Sequence, residues 1–228
     1  MIRDVVQWLR AIREAKPEKQ WLVIGKGPTS DKLPEVNLSS FVTVTLNHAC
    51  KLLHSDLAHF TDLEALDQCE RVLASKNYNV VMPWHPHIGM KPAMPTLLNF
   101  ATPGTTIHRP MLSWSLGNDQ LFSYNSTVAQ KLSRNPKLST VRVRYFSAVA
   151  AFNMLADAGV KTIYTIGVDG GTGYGSAFAD LKPLENGRES FDAQAQEFAL
   201  TCKATGCMHI DLGKAIKTDS ALAETKEA

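Results

Sequence analysis

No stretch of this 228-residue sequence approaches the run of about 20 apolar residues that spans a bilayer. The amino terminus, MIRDVVQWLRAIREAK, is broken by Arg3, Asp4, Arg10, Arg13 and Glu14, so it does not read as a signal peptide. An excess of one charge sign is also lacking. The 24 Lys and Arg against 22 Asp and Glu leave a formal net charge of +2. That gives no electrostatic footprint for DNA or RNA, although a few local cations could still hold an acidic ligand. Cysteine is scarce, at four. Cys50 and Cys69 stand apart, and the spacing of Cys202 and Cys207 is neither a zinc ribbon nor a CxxC pair. Buried, inert thiols in a reducing cytoplasm are the expectation. GxSxG, HExxH and a complete Walker loop are absent, and no DxD pair follows a strand.

What is present is globular. Hydrophobic residues make up 44% of the chain, and its length suits one domain over residues 1–228 that closes its core without disulfides. Val5, Val6, Trp8, Leu9 and Ile12 recur at helical spacing and predict a helix packed on the domain. An interfacial helix, giving peripheral membrane association, is the other reading. Strands are predicted at Trp21–Ile24, Phe41–Leu46, Leu57–Asp62, Asn79–Pro83, Thr162–Asp169 and Met208–Asp211. Helices are predicted over 63–75, 146–158 and 190–205, with Gly159 as a C-cap. Between them, residues 84–140 are irregular. Seven of the 11 prolines fall here or at its edges (Pro83, Pro86, Pro92, Pro95, Pro103, Pro110, Pro136), which predicts an inserted lid. The order predicts an α/β fold, a mostly parallel Rossmann-like sheet with helices on both faces.

Ligands of such sheets gather at the carboxyl ends of the strands. The residues there are Gly25, Lys26, Gly27, Asn47, Asp62, His85 and Asp169. In Gly25-Lys26-Gly27-Pro28-Thr29-Ser30 the glycines would let the backbone approach a phosphate, though a plain strand-to-helix turn fits the spacing equally. Asp169 opens a second glycine-rich stretch, Gly170-Gly171-Thr172-Gly173-Tyr174-Gly175, with Tyr174 as a polar donor. His85 and His87 flank Pro86 and have no third ligand for zinc. His85 is instead a candidate general base or a packing residue. Arg142 and Arg144 alternate in an extended segment and share one face. There they would clamp a diphosphate or a carboxylate, or sit solvated.

Three segments in order, WLVIGKGPTS, VTVTLNHA and FSAVAAFNMLADAGVKTIYTIGVDGG, resemble the bacterial sialyltransferase-like glycosyltransferases. They also resemble the related motility accessory factor and pterin pyrophosphokinase-like proteins. The resemblance is spread over residues 20–212, with the lid least alike. It implies a nucleotide-binding domain that transfers a sugar from an activated donor, CMP-sugar-like, to a cell-surface glycan such as lipopolysaccharide. No metal cofactor is implied. The location implied is the cytoplasm, at the inner face of the membrane, with a homo-oligomer as an open alternative to a monomer. By position, Gly25, Gly27, Pro28 and Thr29 match the family's donor loop. Asn47 matches an Asn near the donor phosphate, Ser147 a Ser that meets the nucleotide, and Asp169 the Asp of the strand end.

The departures are specific. Lys26 stands where the family has Asn, and Gly170-Gly171 replace an aromatic pair, leaving Tyr174 as substitute. No His matches the family's base, since the region reads Asn186-Gly187-Arg188-Glu189-Ser190-Phe191-Asp192. The base then falls to His85, Asp169 or Asp192, with Arg144 and Arg188, and also Arg109 and Arg142, as further contacts for phosphate charge. Two other functions stand beside this one. A diphosphokinase-like enzyme would need Mg²⁺ on Asp62 and Asp169. A non-catalytic nucleotide- or glycan-binding module would keep the fold and lack the base.

Overall fold

The computed structural model of the chain describes residues 1–144, 146–181 and 188–216, with the backbone alone for 188–190. The chain opens with β1 (Arg3–Asp4) and α1 (Val5–Ala15), then β2 (Gln20–Ile24), β3 (Phe41–Leu46) and β4 (Leu57–His59). Two short helices follow, α2 (Leu63–Asp67) and α3 (Glu70–Lys76), and then β5 (Val80–Pro83). A small hairpin, β6 (His87–Ile88) with β7 (Lys91–Pro92), leads to α4 (Leu97–Ala101), α5 (Pro110–Gly117), β8 (Leu121–Ser126) and β9 (Thr140–Val141). The chain continues through α6 (Ser147–Asp157), β10 (Thr162–Ile166), α7 (Arg188–Thr205) and β11 (Met208–Asp211).

Nine strands form one sheet in the order β1-β8-β5-β4-β3-β2-β10-β11, with β9 also on β8, and every pairing is parallel. This is the α/β fold expected from the sequence. The central strands β2, β3, β4, β5 and β8 are buried almost throughout on both faces, as parallel sheets require. In β2 the pleat sends Trp21 and Val23 to one face and Leu22 and Ile24 to the other. The first face is covered by α1, α6 and α7 through Val5, Leu9, Val149, Phe152 and Phe198. The second is covered around β4, β5 and β8 by α2 to α5 through Leu63, Leu66, Leu73, Leu97, Phe100 and Leu112. Trp8 of α1 packs on Phe122 with ring centroids 4.9 Å apart, so the helix's apolar side is taken up by the sheet. Among the described residues no helix is long and apolar enough to cross a membrane.

The expected lid at 84–140 is corrected in one respect. Its residues 121–126 form β8, buried along its whole length between β5 and the β1/β9 edge. The strand escapes a hydrophobicity reading because Ser123, Asn125 and Ser126 are buried with Leu121, Phe122 and Tyr124. Asn125 is satisfied there by donating to the carbonyls of Asn135 and Leu138 at 2.9 and 2.8 Å. The prolines mark element starts as much as loops, since Pro110 opens α5. The helix expected over 63–75 breaks between α2 and α3, at Gln68-Cys69.

Candidate functional site

After β2 the chain fills one side of the sheet through β3, β4, β5 and β8. It then returns across the top to β10, on the other side of β2. The strand order therefore reverses between β2 and β10, which is where a doubly wound sheet opens a crevice at its carboxyl edge. A cleft of about 90 Å³ lies there. It is lined by Gly25, Lys26, Gly27, Asn47, Ser147, Asp169, Gly170 and Tyr174 among the residues anticipated from sequence. It is lined also by Leu46, Phe146, Ala148, Gly167, Val168, Gly171, Gly173, Phe191 and Gln194.

The two glycine-rich loops are clasped together. Gly25 N–H donates to the Ile166 carbonyl and Gly27 N–H to the Gly167 carbonyl, both at 2.8 Å. Gly167 has φ +68°, and a Cβ on it would stand 2.5 Å from the Gly25 carbonyl oxygen. A Cβ on Gly25 would collide with the Gly167 carbonyl in turn. Both glycines are thus required by close backbone approach. Thr29 completes the clasp. Its N–H donates to Asp169 Oδ2 at 2.8 Å, its hydroxyl donates to Asp169 Oδ1, and the hydroxyl oxygen accepts from Gly167 N–H at 2.8 Å. Below it, Asp31 accepts from the Ser176 N–H and hydroxyl. Asp169 therefore lines the cleft while its carboxylate is engaged in holding the loops, and Thr29 belongs to the scaffold behind it. Pro28 is exposed and opens a 3-10 turn rather than lining the cleft.

The opposite wall is the start of α6. Phe146 sits at its N-cap position and no side chain caps the helix, so its first N–H groups and its positive dipole end are not claimed by a side chain. Ser147 accepts a hydrogen bond from Asn47 Nδ2 at 3.4 Å. Asn47 holds φ +50°, a left-handed conformation uncommon outside glycine, and its Oδ1 is buried with no hydrogen-bond partner among the described residues. Phe146 and Phe191 stack at 5.1 Å with planes 13° apart and form an aromatic side wall. Phe146 could have been anticipated as the residue that precedes Ser147. Phe191 and Gln194 could not, because α7 comes to the cleft from the far end of the chain.

Lys26 is the cation of this lining. Its ammonium lies 4.5 Å from the centre of the Tyr174 ring. Burial pulls its pKa below the ordinary lysine value, and the charges of Asp62 and Cys69 partly restore it. Among the described residues the cationic pocket expected from several arginines is otherwise not assembled. Arg142 and Arg144 do share a face, but they reach Glu197 of α7 at 3.0 and 3.4 Å, with the Glu197 side chain only 5% exposed. They clamp a carboxylate of the protein itself. Arg109 pairs with Asp67 at 3.0 Å, away from the cleft. The side chain of Arg188, Asn186, Gly187 and the tail after Thr218 lie outside the described residues.

Two expected bases are not brought to the cleft. His85 is buried in the 84–140 segment, with Nδ1 2.9 Å from the Ala93 carbonyl and Nε2 2.7 Å from the Ser133 carbonyl. Both nitrogens lie against carbonyls of the segment, so the ring staples the segment and is not part of the cleft lining. Asp192 is exposed on α7, between Phe191 and Gln194, which face the cleft. Helical spacing turns it away.

A second polar group, in which His59 and Tyr124 join Asp62 and His87 without having been singled out from sequence, closes the carboxyl ends of β4, β5 and β8. His59 is fully buried, with Nε2 3.0 Å from the Tyr124 hydroxyl. Burial and the nearby His87 push its pKa down to about 3. Asp62 pairs with His87 in a parallel bridge, its Oδ1 3.7 Å from His87 Nδ1. Burial and the charge of Glu64 push Asp62 up to about 6, against the pull of Lys26.

Neither a family model nor a curated protein sequence matches the chain. One solved structure is similar, the apo α-2,3-sialyltransferase of Campylobacter jejuni, at 13% identity and a TM-score of 0.43. The match covers 85% of this chain and 75% of that one. A likeness at this level does not identify an activity.

Proposed function

We propose that this chain is a glycosyltransferase. It takes a sugar from a nucleotide-activated donor, CMP-linked by preference, and transfers it to a hydroxyl of a surface glycan at the cytoplasmic side of the membrane. The observation that carries the reading is the switch-point cleft. Beside the Gly25–Gly27 turn, whose Gly25 and Gly27 N–H groups are spent on the Ile166 and Gly167 carbonyls, the Lys26 ammonium and the uncapped start of α6 converge. Those are the groups that neutralise a phosphate. The Phe146–Phe191 stack offers a flat apolar wall for a base or sugar ring. The preference for CMP comes from the motif resemblance and not from any contact in the cleft. The reaction is metal-independent on this reading, with Lys26 and helix N–H groups meeting the charge of the leaving phosphate.

The diphosphokinase alternative fares less well on geometry. It needs Asp62 and Asp169 to share magnesium, yet both oxygens of Asp169 accept from Thr29. Among the described residues no three His, Cys, Asp or Glu side chains are placed to hold a metal ion.

A screen of CMP-, UDP- and GDP-sugars with EDTA present tests the proposal. Nucleotide release on adding a glycan acceptor is expected with one donor class. Release that requires magnesium, or a nucleotide that binds without turnover under any acceptor, would return the diphosphokinase or the binding module respectively.

A further inference from the structure

The proposed transfer needs a base, and His85, Asp169 and Asp192 are each otherwise placed. The carboxyl ends of β4, β5 and β8 carry polar atoms buried with no hydrogen-bond partner among the described residues. They are Nδ1 of His59, Oγ1 of Thr61, Nε2 of His87 and Oγ of Ser123. Buried polar atoms are normally paired, so several together mark a place where water or a ligand group supplies the partner. Asp62 stands at this mouth with its side chain a third exposed, and His87 backs it with only 13% exposed. Asp62 is not itself in the cleft lining: it follows β4, which pairs with β3, and β3 leads to Asn47 in the cleft, so the mouth adjoins the cleft along the sheet edge.

We infer that Asp62 is the general base of the transfer, with His87 as the residue that positions it. The assignment rests on the transferase reading for its reaction. The acceptor hydroxyl gives its proton to the Asp62 carboxylate while its oxygen forms the new bond to the anomeric carbon. The bond from that carbon to the phosphate oxygen breaks, and the phosphate leaves with the electron pair toward Lys26. The proton then passes to solvent through the exposed edge of Asp62. His87 touches no reacting atom. Its Nδ1 faces the carboxylate at 3.7 Å and, as an N–H, favours the ionised form.

The groups facing Asp62 set its titration. Lys26 after β2 favours the carboxylate, and Glu64 of α2 opposes it. Glu64 is fixed by accepting from Gly89 N–H at 3.0 Å. Tyr124 of β8 stays protonated, since burial and the Asp62 charge raise it. His87 and His59 stay neutral at pH 7, since burial lowers both. Asp62 is then a carboxylate poised about one unit below neutrality, close to the working pH of an efficient base.

The test uses the whole chain and the donor found in the screen. Asp62→Asn should lower kcat by about 100-fold or more, and added formate should restore part of it. The rise in Tm with CMP should persist in the variant, showing donor binding and fold intact. The acid limb of kcat/KM in the parent should fall near pH 6. His87→Asn should move that limb to higher pH and leave the CMP response unchanged. Asp62→Asn turning over within about threefold of the parent overturns the assignment and leaves the donor reading standing. So does a carboxyl ¹³C midpoint for Asp62 near 4 in an active parent. A parent that turns over no nucleotide sugar overturns the transferase reading and the base with it.

Discussion

On the β2/β10 side of the crevice most polar atoms answer one another, with Ser30 Oγ the buried exception among the described residues. Thr29 uses its N–H, its hydroxyl proton and its hydroxyl oxygen on Asp169 and Gly167, and Asp31 takes both donors of Ser176. On the β4/β5/β8 side, His59, Thr61, His87 and Ser123 each keep a buried atom without a partner among the described residues. One side is a largely closed scaffold that presents Lys26 to the cleft. The other holds reactive side chains in reserve. A crevice that binds a phosphate and moves a proton needs both, because a rigid anion site must not shift while an acid–base site must keep unspent capacity. The difference also explains why Asp169, the more conspicuous carboxylate in the sequence, is the less suited to catalysis.

The comparison can be broken first at the scaffold. Gly167→Ala places a Cβ at φ +68° and 2.5 Å from the Gly25 carbonyl oxygen. We expect it to cost about 3 kcal/mol or more in urea denaturation, with loss of nucleotide binding.

Acidification should weaken the whole fold, with the widest pH window at His59 on the other side. His48, His59, His87 and His209 all have lowered pKa values, chiefly through burial. The unfolded chain binds protons that the native state refuses, so stability is lost as pH falls below the ordinary histidine value. The slope is about 1.4 kcal/mol per pH unit for each such histidine. For His59 the window runs down to about 3. Asp62 acts with the opposite sign. Its raised pKa gives stability that is lost as pH rises from 3.8 to about 6. The histidines outnumber it, so the urea midpoint should fall between pH 6.5 and 4.5, and His59→Gln should flatten that fall.

Thr29→Val removes one hydroxyl and orphans the Gly167 N–H. A loss of about 1–2 kcal/mol is expected, because the site is only half-buried. Tyr124→Phe leaves His59 Nε2 without its partner and should cost about 1 kcal/mol while moving the titration of His59. Equal stability losses from Thr29→Val and Tyr124→Phe, with no change in titration, would erase the distinction between the two sides.

Much of this was legible in the sequence. The strands β2, β3 and β11 announce themselves as short apolar or β-branched runs, and Gly-Lys-Gly-Pro and Asp-Gly-Gly mark the turns that meet at the switch point. β8 was hidden because its side chains are satisfied by tertiary hydrogen bonds, as at Asn125, and not by hydrophobic alternation. His85 misled because its position after β5 is right for a site, while its orientation is set by two carbonyls from residues 93 and 133. Arg142 and Arg144 share a face as their alternation predicts, but the carboxylate they meet comes from α7. Asp62 was read as a strand end and metal candidate, and its pairing with His87 appears only once β4 and the hairpin are adjacent.

The central claim is that the switch-point cleft receives the nucleotide. Amide chemical-shift mapping during a CMP titration tests it most directly. Shifts should concentrate in Gly25–Gly27, Ser147–Ala148 and Gly167–Tyr174, saturate with CMP, and weaken by about tenfold or more in affinity in Lys26→Ala. No saturable shift in those three segments with CMP, UDP or GDP, or a saturable response confined to another face of the sheet, would contradict the account.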